Sequence, residues 1–195
     1  MNMEKKKSLI STTTLETKKL NKVEKFSVSD INELHQASIR FTEQYPFPKH
    51  NQLCFLNTKG HGADPNQGTG NKLHPEAAMY NLNEHDFTEF LPEWKDSIFY
   101  KIYKDFPLPV TRMRLMRVPP KRTYSIHADG DNEIRYHIAV QTNPEAFFVY
   151  ADTLELIHVP ADGNAYEFNV ERPHSFVNFS AKHERWHLVL NAWIK

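Results

Sequence analysis

Short segments of alternating apolar and polar residues dominate the chain from residue 111 onward. They are rich in β-branched and aromatic residues, and turn-forming pairs such as Asp162-Gly163 and Arg172-Pro173 separate them. Several short strands at this spacing are typical of a β-sandwich or barrel. The predicted strands are Arg112–Val118, Arg135–Gln141, Ala146–Tyr150, Leu154–His158, Ala165–Asn169, His174–Phe179 and Arg185–Trp193.

Helical periodicity is confined to the first half of the chain. Ser29-Asp30, followed by apolar residues at Ile31, Leu34, Ile39 and Phe41, predicts a helix with an N-cap. A second helical stripe is predicted between Glu84 and Tyr103. Helices before a run of strands favour a mainly β fold, a double-sheet jelly roll braced by N-terminal helices. The expected buried stripe of the second helix is Phe87, Phe90, Leu91, Trp94, Ile98 and Ile102.

The domain organisation follows from length and composition. Residues 1–24 are rich in Lys, Ser, Thr and Asn and predict a flexible tail, or at most a frayed first strand. A single domain is expected over 25–195, with 25–110 as helical and loop support and 111–195 as the jelly-roll core. Residues 57–75 hold four of the six glycines and predict a long surface loop, either a binding lid or a disordered insertion.

Charge and cysteine content exclude several classes of protein. Lys+Arg and Asp+Glu both number 24, so neither a nucleic-acid partner nor a cationic one is expected. Cys54 is the single cysteine, which excludes an internal disulfide and fits a reducing compartment. No apolar run reaches the length of a membrane span, and the N-terminal lysines lack the apolar stretch of a signal peptide. A cytoplasmic protein without a membrane partner is therefore expected.

The candidate chemistry begins with His127-Ala128-Asp129. In an extended segment, residues i and i+2 point to the same face, so an imidazole and a carboxylate can share a metal ion. The same triplet also fits a solvated turn, since Gly130 follows it. His174 opens a later predicted strand, and two histidines with one carboxylate form a facial triad that leaves positions open on iron.

Two basic positions on predicted strands add to this site. Alternation places Arg185 and His187 on one face of the last strand, and Arg135 and His137 share a face on another. A buried arginine needs an anionic partner, which a dicarboxylate cosubstrate supplies in bidentate geometry. An exposed edge position paired with an acidic side chain is the other interpretation of Arg185.

The C-terminal half of the chain, residues 112–191, resembles the aspartyl/asparaginyl β-hydroxylase-like branch of the 2-oxoglutarate/Fe(II) oxygenases. The order and spacing of several short stretches carry this resemblance. They are Arg114-Leu-Met-Arg-Val-Pro-Pro120, Tyr124-Ser-Ile-His-Ala-Asp129, Arg135-Tyr-His-Ile-Ala-Val-Gln-Thr-Asn143, Asp162-Gly163, Pro173-His-Ser-Phe-Val-Asn178 and Arg185-Trp-His-Leu-Val189.

The resemblance implies a double-stranded β-helix and a dioxygenase that uses Fe(II), 2-oxoglutarate and O2 to hydroxylate a small-molecule or peptide substrate. The vertebrate enzyme that names the family lacks a carboxylate ligand, so this chain looks more like bacterial members, some of which hydroxylate free amino acids. The implied iron ligands are His127, Asp129 and His174, and the implied 2-oxoglutarate contacts are Arg185, Arg135 and His137. The expected substrate side comprises the 57–75 loop with Arg112, Arg117 and Tyr124.

Three other interpretations remain open from the sequence. A cupin-like module that holds Zn(II) or Ni(II) without turnover could use the same triad. A calcium loop over Asp129–Glu133 has its glycine at the wrong position and lacks the distal bidentate glutamate. A non-catalytic β-sandwich interaction domain would bind neither metal nor 2-oxoglutarate.

Overall fold

The computed structural model describes residues 20–70, 75–129 and 133–193. Over these ranges two α-helices, α1 (Ile31–Gln44) and α2 (Ile98–Asp105), accompany twelve strands. Single 3-10 turns span Glu84–Asp86 and Pro92–Trp94. The strands are β1 Lys22–Ser27, β2 Gln52–Cys54, β3 Leu56–Thr58, β4 Phe87–Phe90, β5 Val110–Val118, β6 Arg122–Thr123, β7 Glu133–Gln141, β8 Ala146–Tyr150, β9 Glu155–Ile157, β10 Asn164–Asn169, β11 His174–Asn178 and β12 Arg185–Trp193.

Two antiparallel sheets form the body of the fold. The larger sheet has the strand order β1-β10-β7-β12-β5-β2, and the smaller sheet has the order β6-β11-β8-β9. Apart from the hairpin of β8 and β9, strands that neighbour each other in these sheets are distant in sequence, as in a jelly roll. The predicted fold class, mainly β with N-terminal helices, is confirmed. No helix in the described ranges is long and apolar enough to cross a membrane.

Alternation along the strands of the larger sheet divides the buried residues into two cores. Tyr136, Ile138 and Val140 of β7 face the helices, where Phe41 of α1 stacks on Phe55 with ring centroids 4.3 Å apart. The opposite face points towards the smaller sheet, and the space between the two sheets is called the interior below. Apolar side chains from both sheets pack there, and they include Val118, Ala139, Phe148, Phe168 and Phe176.

The predicted first helix begins where expected. The Asp30 side chain accepts a hydrogen bond from the backbone N–H of Glu33 at 2.9 Å, which satisfies one of the donors at the start of α1. Leu34 and Phe41 are buried, whereas Ile39 is half-buried. Residues 1–19 of the predicted tail lie outside the described residues, and from Lys22 the chain pairs with β10 as β1.

The predicted helix over Glu84–Tyr103 is wrong in its first part. Only α2 is α-helical, because Phe87–Phe90 pairs with β3 and Pro92 interrupts the segment. Its predicted stripe is nevertheless buried throughout, from Phe87 to Ile102. A spacing of three between Phe87 and Phe90 is compatible with a helix, and only the distant partner strand decides against it.

The predicted surface loop at 57–75 is also corrected. Asn57 and Thr58 belong to β3, and Gln67 and Thr69 are buried. Gly68 packs so closely on Cys54 that an added Cβ would lie 2.3 Å from its Sγ. Residues 67–69 therefore pack into the protein body, residues 59–63 are exposed as predicted, and residues 71–74 lie outside the described ranges.

Candidate metal centre

Backbone hydrogen bonds between the two sheets bring the predicted triad together. His174 is the first residue of β11, and His127 lies beside it in the segment that follows β6. The N–H of His127 donates to the carbonyl oxygen of His174 at 3.0 Å, and the reverse bond measures 2.8 Å. The N–H of Asp129 donates to the carbonyl oxygen of Val170 at 2.8 Å, which fixes the third member.

The side chains of the triad converge on one point. One ligand atom from each of His127, Asp129 and His174 lies within 4.8 Å of the others. The carboxylate of Asp129 is 3.4 Å from Nε2 of His174 and 3.8 Å from Nε2 of His127. His174 is fully buried and His127 is partly exposed, so the cluster has one closed side and one side open to solvent.

Both histidines are held in the tautomer that binds a metal through Nε2. Nδ1 of His127 lies 2.8 Å from the carbonyl oxygen of Ser125, and Nδ1 of His174 lies 2.8 Å from that of Arg172. A carbonyl can only accept, so each Nδ1 carries the hydrogen and each Nε2 keeps its lone pair. Metal-binding histidines in proteins are oriented in this way by a bond from the other ring nitrogen. The donor set therefore fits a divalent transition metal.

Arg135 supports the carboxylate of the triad. Its NH1 lies 2.5 Å from Oδ2 of Asp129, and the residue projects into the interior from β7. Burial raises the pKa of Asp129, but a hydrogen bond from His174 in its protonated, metal-free form and the charge of Arg135 outweigh it and hold that pKa well below its usual range. Asp129 is thus an anion at neutral pH. The structure places Arg135, predicted as a cosubstrate contact, next to the ligand set.

His137 lies deeper in the interior, two residues along β7. It is fully buried, and neither ring nitrogen has a hydrogen-bond partner in the described part of the chain. Its ring lies 5.0 Å from that of Phe168 and 5.6 Å from that of His187. Burial and then the charge of Arg185 hold the pKa of His137 well below its usual range. His137 is a neutral ring with polar atoms available to a ligand.

Arg185 is a buried cation without an acidic partner among the described residues. It is 2% exposed, its NH2 donates to Nδ1 of His187 at 2.8 Å, and its guanidinium lies over the ring of Phe176 at 4.8 Å. Burial lowers its pKa to about 9. The interpretation of Arg185 as an exposed edge position is wrong, and a buried charge of this kind demands an anion.

A second buried polar cluster was missed in the sequence. NH1 of Arg112 bonds Oε1 of Glu84 at 2.6 Å, and the Asn191 amide donates to Oε2 of Glu84 at 2.5 Å. NH2 of Arg114 donates to Oδ1 of Asn191 at 3.0 Å. Burial raises the pKa of Glu84, but the charges of the surrounding arginines, first Arg112, lower it to about 2. The spacing of Arg112 and Arg114 in β5 was the available signal that both point inward.

The three residues predicted on the substrate side lie in different places. Arg112 is buried, and its remaining donors bond the carbonyl oxygens of Gly68 at 2.7 Å and Gly70 at 2.9 Å. Arg117 lies on the opposite face of β5 and bonds Oδ1 of Asn51 at 2.9 and 2.7 Å, outside the interior. The Tyr124 hydroxyl donates to the carbonyl oxygen of Arg117 at 2.9 Å. These three side chains do not form one surface.

Residues 130–132 of the calcium-loop interpretation lie outside the described residues, whereas the Asp129 carboxylate belongs to the triad.

Comparisons with known proteins bear only on the fold. No family model and no curated protein sequence matches the chain. The viral collagen prolyl hydroxylase vCPH of Paramecium Bursaria Chlorella virus-1, solved as its 2OG complex, is similar with a TM-score of 0.50 and 12% identity, over 92% of this chain and 99% of that one. AviO1 from Streptomyces viridochromogenes Tue57 gives a TM-score of 0.49 and 13% identity, over 87% of each chain. At this identity the likeness to vCPH concerns the fold alone.

Proposed function

We propose that this chain is an Fe(II)- and 2-oxoglutarate-dependent dioxygenase of the aspartyl/asparaginyl β-hydroxylase-like branch. It would hydroxylate an unactivated C–H bond of an amino acid, a peptide or another small substrate. The observation that carries the proposal is the pairing of two features in one interior. A His-Asp-His cluster with both Nε2 atoms oriented to bind a metal lies in the same interior as Arg185, which has no acidic partner among the described residues.

His127, Asp129 and His174 would hold the metal on one side. Two neutral imidazoles and one carboxylate are the donor set of non-haem Fe(II) oxygenases, and it leaves positions open for other ligands. A bound Fe(II) would supply the oxidation chemistry, in which O2, 2-oxoglutarate and a substrate C–H would give succinate, CO2 and C–OH. Arg135 keeps the Asp129 carboxylate ionised and oriented, so its charge is available to the metal.

Arg185 would bind the distal carboxylate of 2-oxoglutarate. Its guanidinium is fixed by the bond to His187 and by the ring of Phe176, so little conformational freedom is lost on binding. A carboxylate is the bidentate partner that this buried cation lacks in the described part of the chain. The neutral ring of His137 can donate one hydrogen bond to the same ligand, and the surrounding phenylalanines exclude water from it.

A non-catalytic cupin-like metal protein is the main alternative. The triad by itself would serve it equally well, because Zn(II) accepts the same donors. Such a protein does not require a buried arginine in the interior that lacks a carboxylate partner among the described residues. The buried position of Arg185 therefore favours the oxygenase.

Succinate formation tests the proposal. Purified protein would be supplied with Fe(II), ascorbate and 2-oxoglutarate under air, and compared with His174→Ala and with His183→Ala, an exposed histidine that serves as a matched control. We expect slow turnover of 2-oxoglutarate in the wild type and in His183→Ala, and none in His174→Ala. Equal succinate from wild type and His174→Ala would contradict the assignment of the metal centre.

A further inference from the structure

Arg114 is a second buried cation that no carboxylate of the described chain contacts. It is 2% exposed, NH1 donates to Oε1 of Gln52 at 3.2 Å and NH2 donates to Oδ1 of Asn191 at 3.0 Å. Its Nε–H is buried without a partner among the described residues. Burial and the neighbouring charges of Arg112 and Arg135 lower its pKa to about 9, and the charge of Glu84, which does not contact it, opposes them only in part. Two neutral amides orient this guanidinium, and neither compensates its charge.

The interior as a whole carries an excess of positive charge. Its buried cations are Arg112, Arg114, Arg135 and Arg185. Among the described residues only two carboxylates, those of Glu84 and Asp129, face these arginines. If the proposed function is right, the two charges of Fe(II) and the two of 2-oxoglutarate cancel each other. The loaded interior then keeps two surplus positive charges, which is costly in a space with little water.

Arg114 and Arg185 are anchored at different levels of the larger sheet. Arg114 lies opposite Val189 in the register of β5 and β12, whereas Arg185 lies opposite Val118. Four residues of strand separate these positions, or about 13 Å along the sheet. Arg114 shares its cross-strand row with His137 of β7, and the next interior-facing row holds Arg135, which contacts the triad carboxylate.

We infer that Arg114 binds a carboxylate group of the substrate and that the substrate of this enzyme is a small carboxylic acid. The inference rests on the proposed function and specifies its substrate class. A planar guanidinium with a fixed orientation recognises a carboxylate in bidentate geometry. Arg112 cannot take this role, because Glu84, Gly68 and Gly70 already occupy its donors.

The test compares acids with their isosteric neutral amides. Protein loaded with Mn(II), which does not support turnover, and saturated with 2-oxoglutarate would be titrated calorimetrically with butyrate and butyramide, phenylacetate and phenylacetamide, and N-acetylglycine and its amide. Because 2-oxoglutarate occupies its own site, a preference for the acid reports a second anion site. Wild type should bind at least one acid about tenfold or more tightly than its amide, as a charged hydrogen bond predicts.

Two variants remove the anion site in different ways. Arg114→Gln deletes the cation, and Gln52→Glu keeps it but supplies an internal carboxylate in place of the neutral acceptor at 3.2 Å. Both should bring the acid-to-amide ratio close to one without weakening 2-oxoglutarate binding. Arg117→Gln removes the same charge from the face of β5 that points away from the interior, and this variant should keep the wild-type ratio. Because Gln52→Glu preserves the buried arginine, it remains informative if Arg114→Gln fails to fold.

The outcomes separate this inference from the proposed function. A wild type that prefers no acid, or a preference that survives both Arg114→Gln and Gln52→Glu, overturns the inference. It is also overturned if Arg114→Gln loses 2-oxoglutarate while Arg185→Gln retains it, since the two arginines would then have exchanged roles. If the wild type binds no 2-oxoglutarate at all, the proposed function fails. The same titration with Mn(II) alone then decides whether Arg114 is an anion site.

Discussion

His127 and His174 each donate a backbone N–H to the other's carbonyl oxygen, at 3.0 and 2.8 Å. This reciprocal pair holds the loop that carries Asp129 against the first residue of β11. Each imidazole also has its Nδ1 within 2.8 Å of the carbonyl oxygen two residues before it. The main chain therefore aligns both Nε2 atoms with the carboxylate.

Arg135 should tune metal affinity through Asp129. We predict that Arg135→Gln weakens Fe(II) binding by about 10- to 100-fold, the usual effect of losing a residue that orients a metal ligand. Anaerobic titration with Fe(II) measures it. Arg172→Gln is the matched control, because its guanidinium bonds Asp152 at 3.0 and 2.8 Å at the surface. Equal losses in both variants would count against a specific role for Arg135.

Arg185 should destabilise the folded protein when no ligand is bound. We predict that Arg185→Met raises the free energy of unfolding of the metal-free protein by about 1 kcal/mol or more, because an apolar side chain replaces an uncompensated buried charge. Urea unfolding measures this change. The same variant should bind 2-oxoglutarate at least about tenfold more weakly, since a charged hydrogen bond is lost.

The exposed Arg122→Met should change neither the unfolding energy nor the affinity for 2-oxoglutarate. A clear loss of stability in Arg185→Met would mean that the guanidinium is already compensated inside the protein.

Glu84 should make stability depend on pH in the acid range. Its folded-state pKa of about 2 lies below its ordinary value of 4.5, so its contribution is complete above pH 4.5 and is lost as pH falls towards 2. At pH 7, Glu84→Gln should destabilise the fold by about 3–5 kcal/mol, because Arg112 loses its buried partner.

Urea unfolding at several pH values tests this prediction. The difference between wild type and Glu84→Gln should shrink steadily below pH 4.5, whereas the exposed Glu43→Gln should follow the wild type throughout. A difference that does not vary with pH would show that the Glu84 carboxylate is not the stabilising species.

The longer strands of the second half of the chain and the facing of the candidate site residues were predictable because both depend on local alternation. Period two in Arg135-Tyr-His137 and in Arg185-Trp-His187 placed the right side chains on the interior face. The β4 strand was not predictable, because its pairing with β3 joins Leu56 to Phe90 across 33 intervening residues.

The buried cluster around Glu84 escaped prediction for a related reason. Glu84 precedes a strand by three positions and carries no periodic signal, and its partner Arg112 is 28 residues away. Only the folded chain brings the two together with Asn191. Because Glu84 is so distant in sequence, Arg112 was predicted to be a substrate contact, although the folded protein pairs it with Glu84. Arg114, two residues further on, has no carboxylate partner in the described ranges.

The most direct test of the central claim is an anaerobic absorption titration. Protein with one equivalent of Fe(II) would be titrated with 2-oxoglutarate, with His174→Ala and Arg185→Gln in parallel. We predict a visible charge-transfer band that saturates in the wild type, is absent in His174→Ala, and requires a much higher 2-oxoglutarate concentration in Arg185→Gln. A wild type that binds no iron, or binds iron without developing a band at any 2-oxoglutarate concentration, would contradict the assignment of this fold to a 2-oxoglutarate oxygenase.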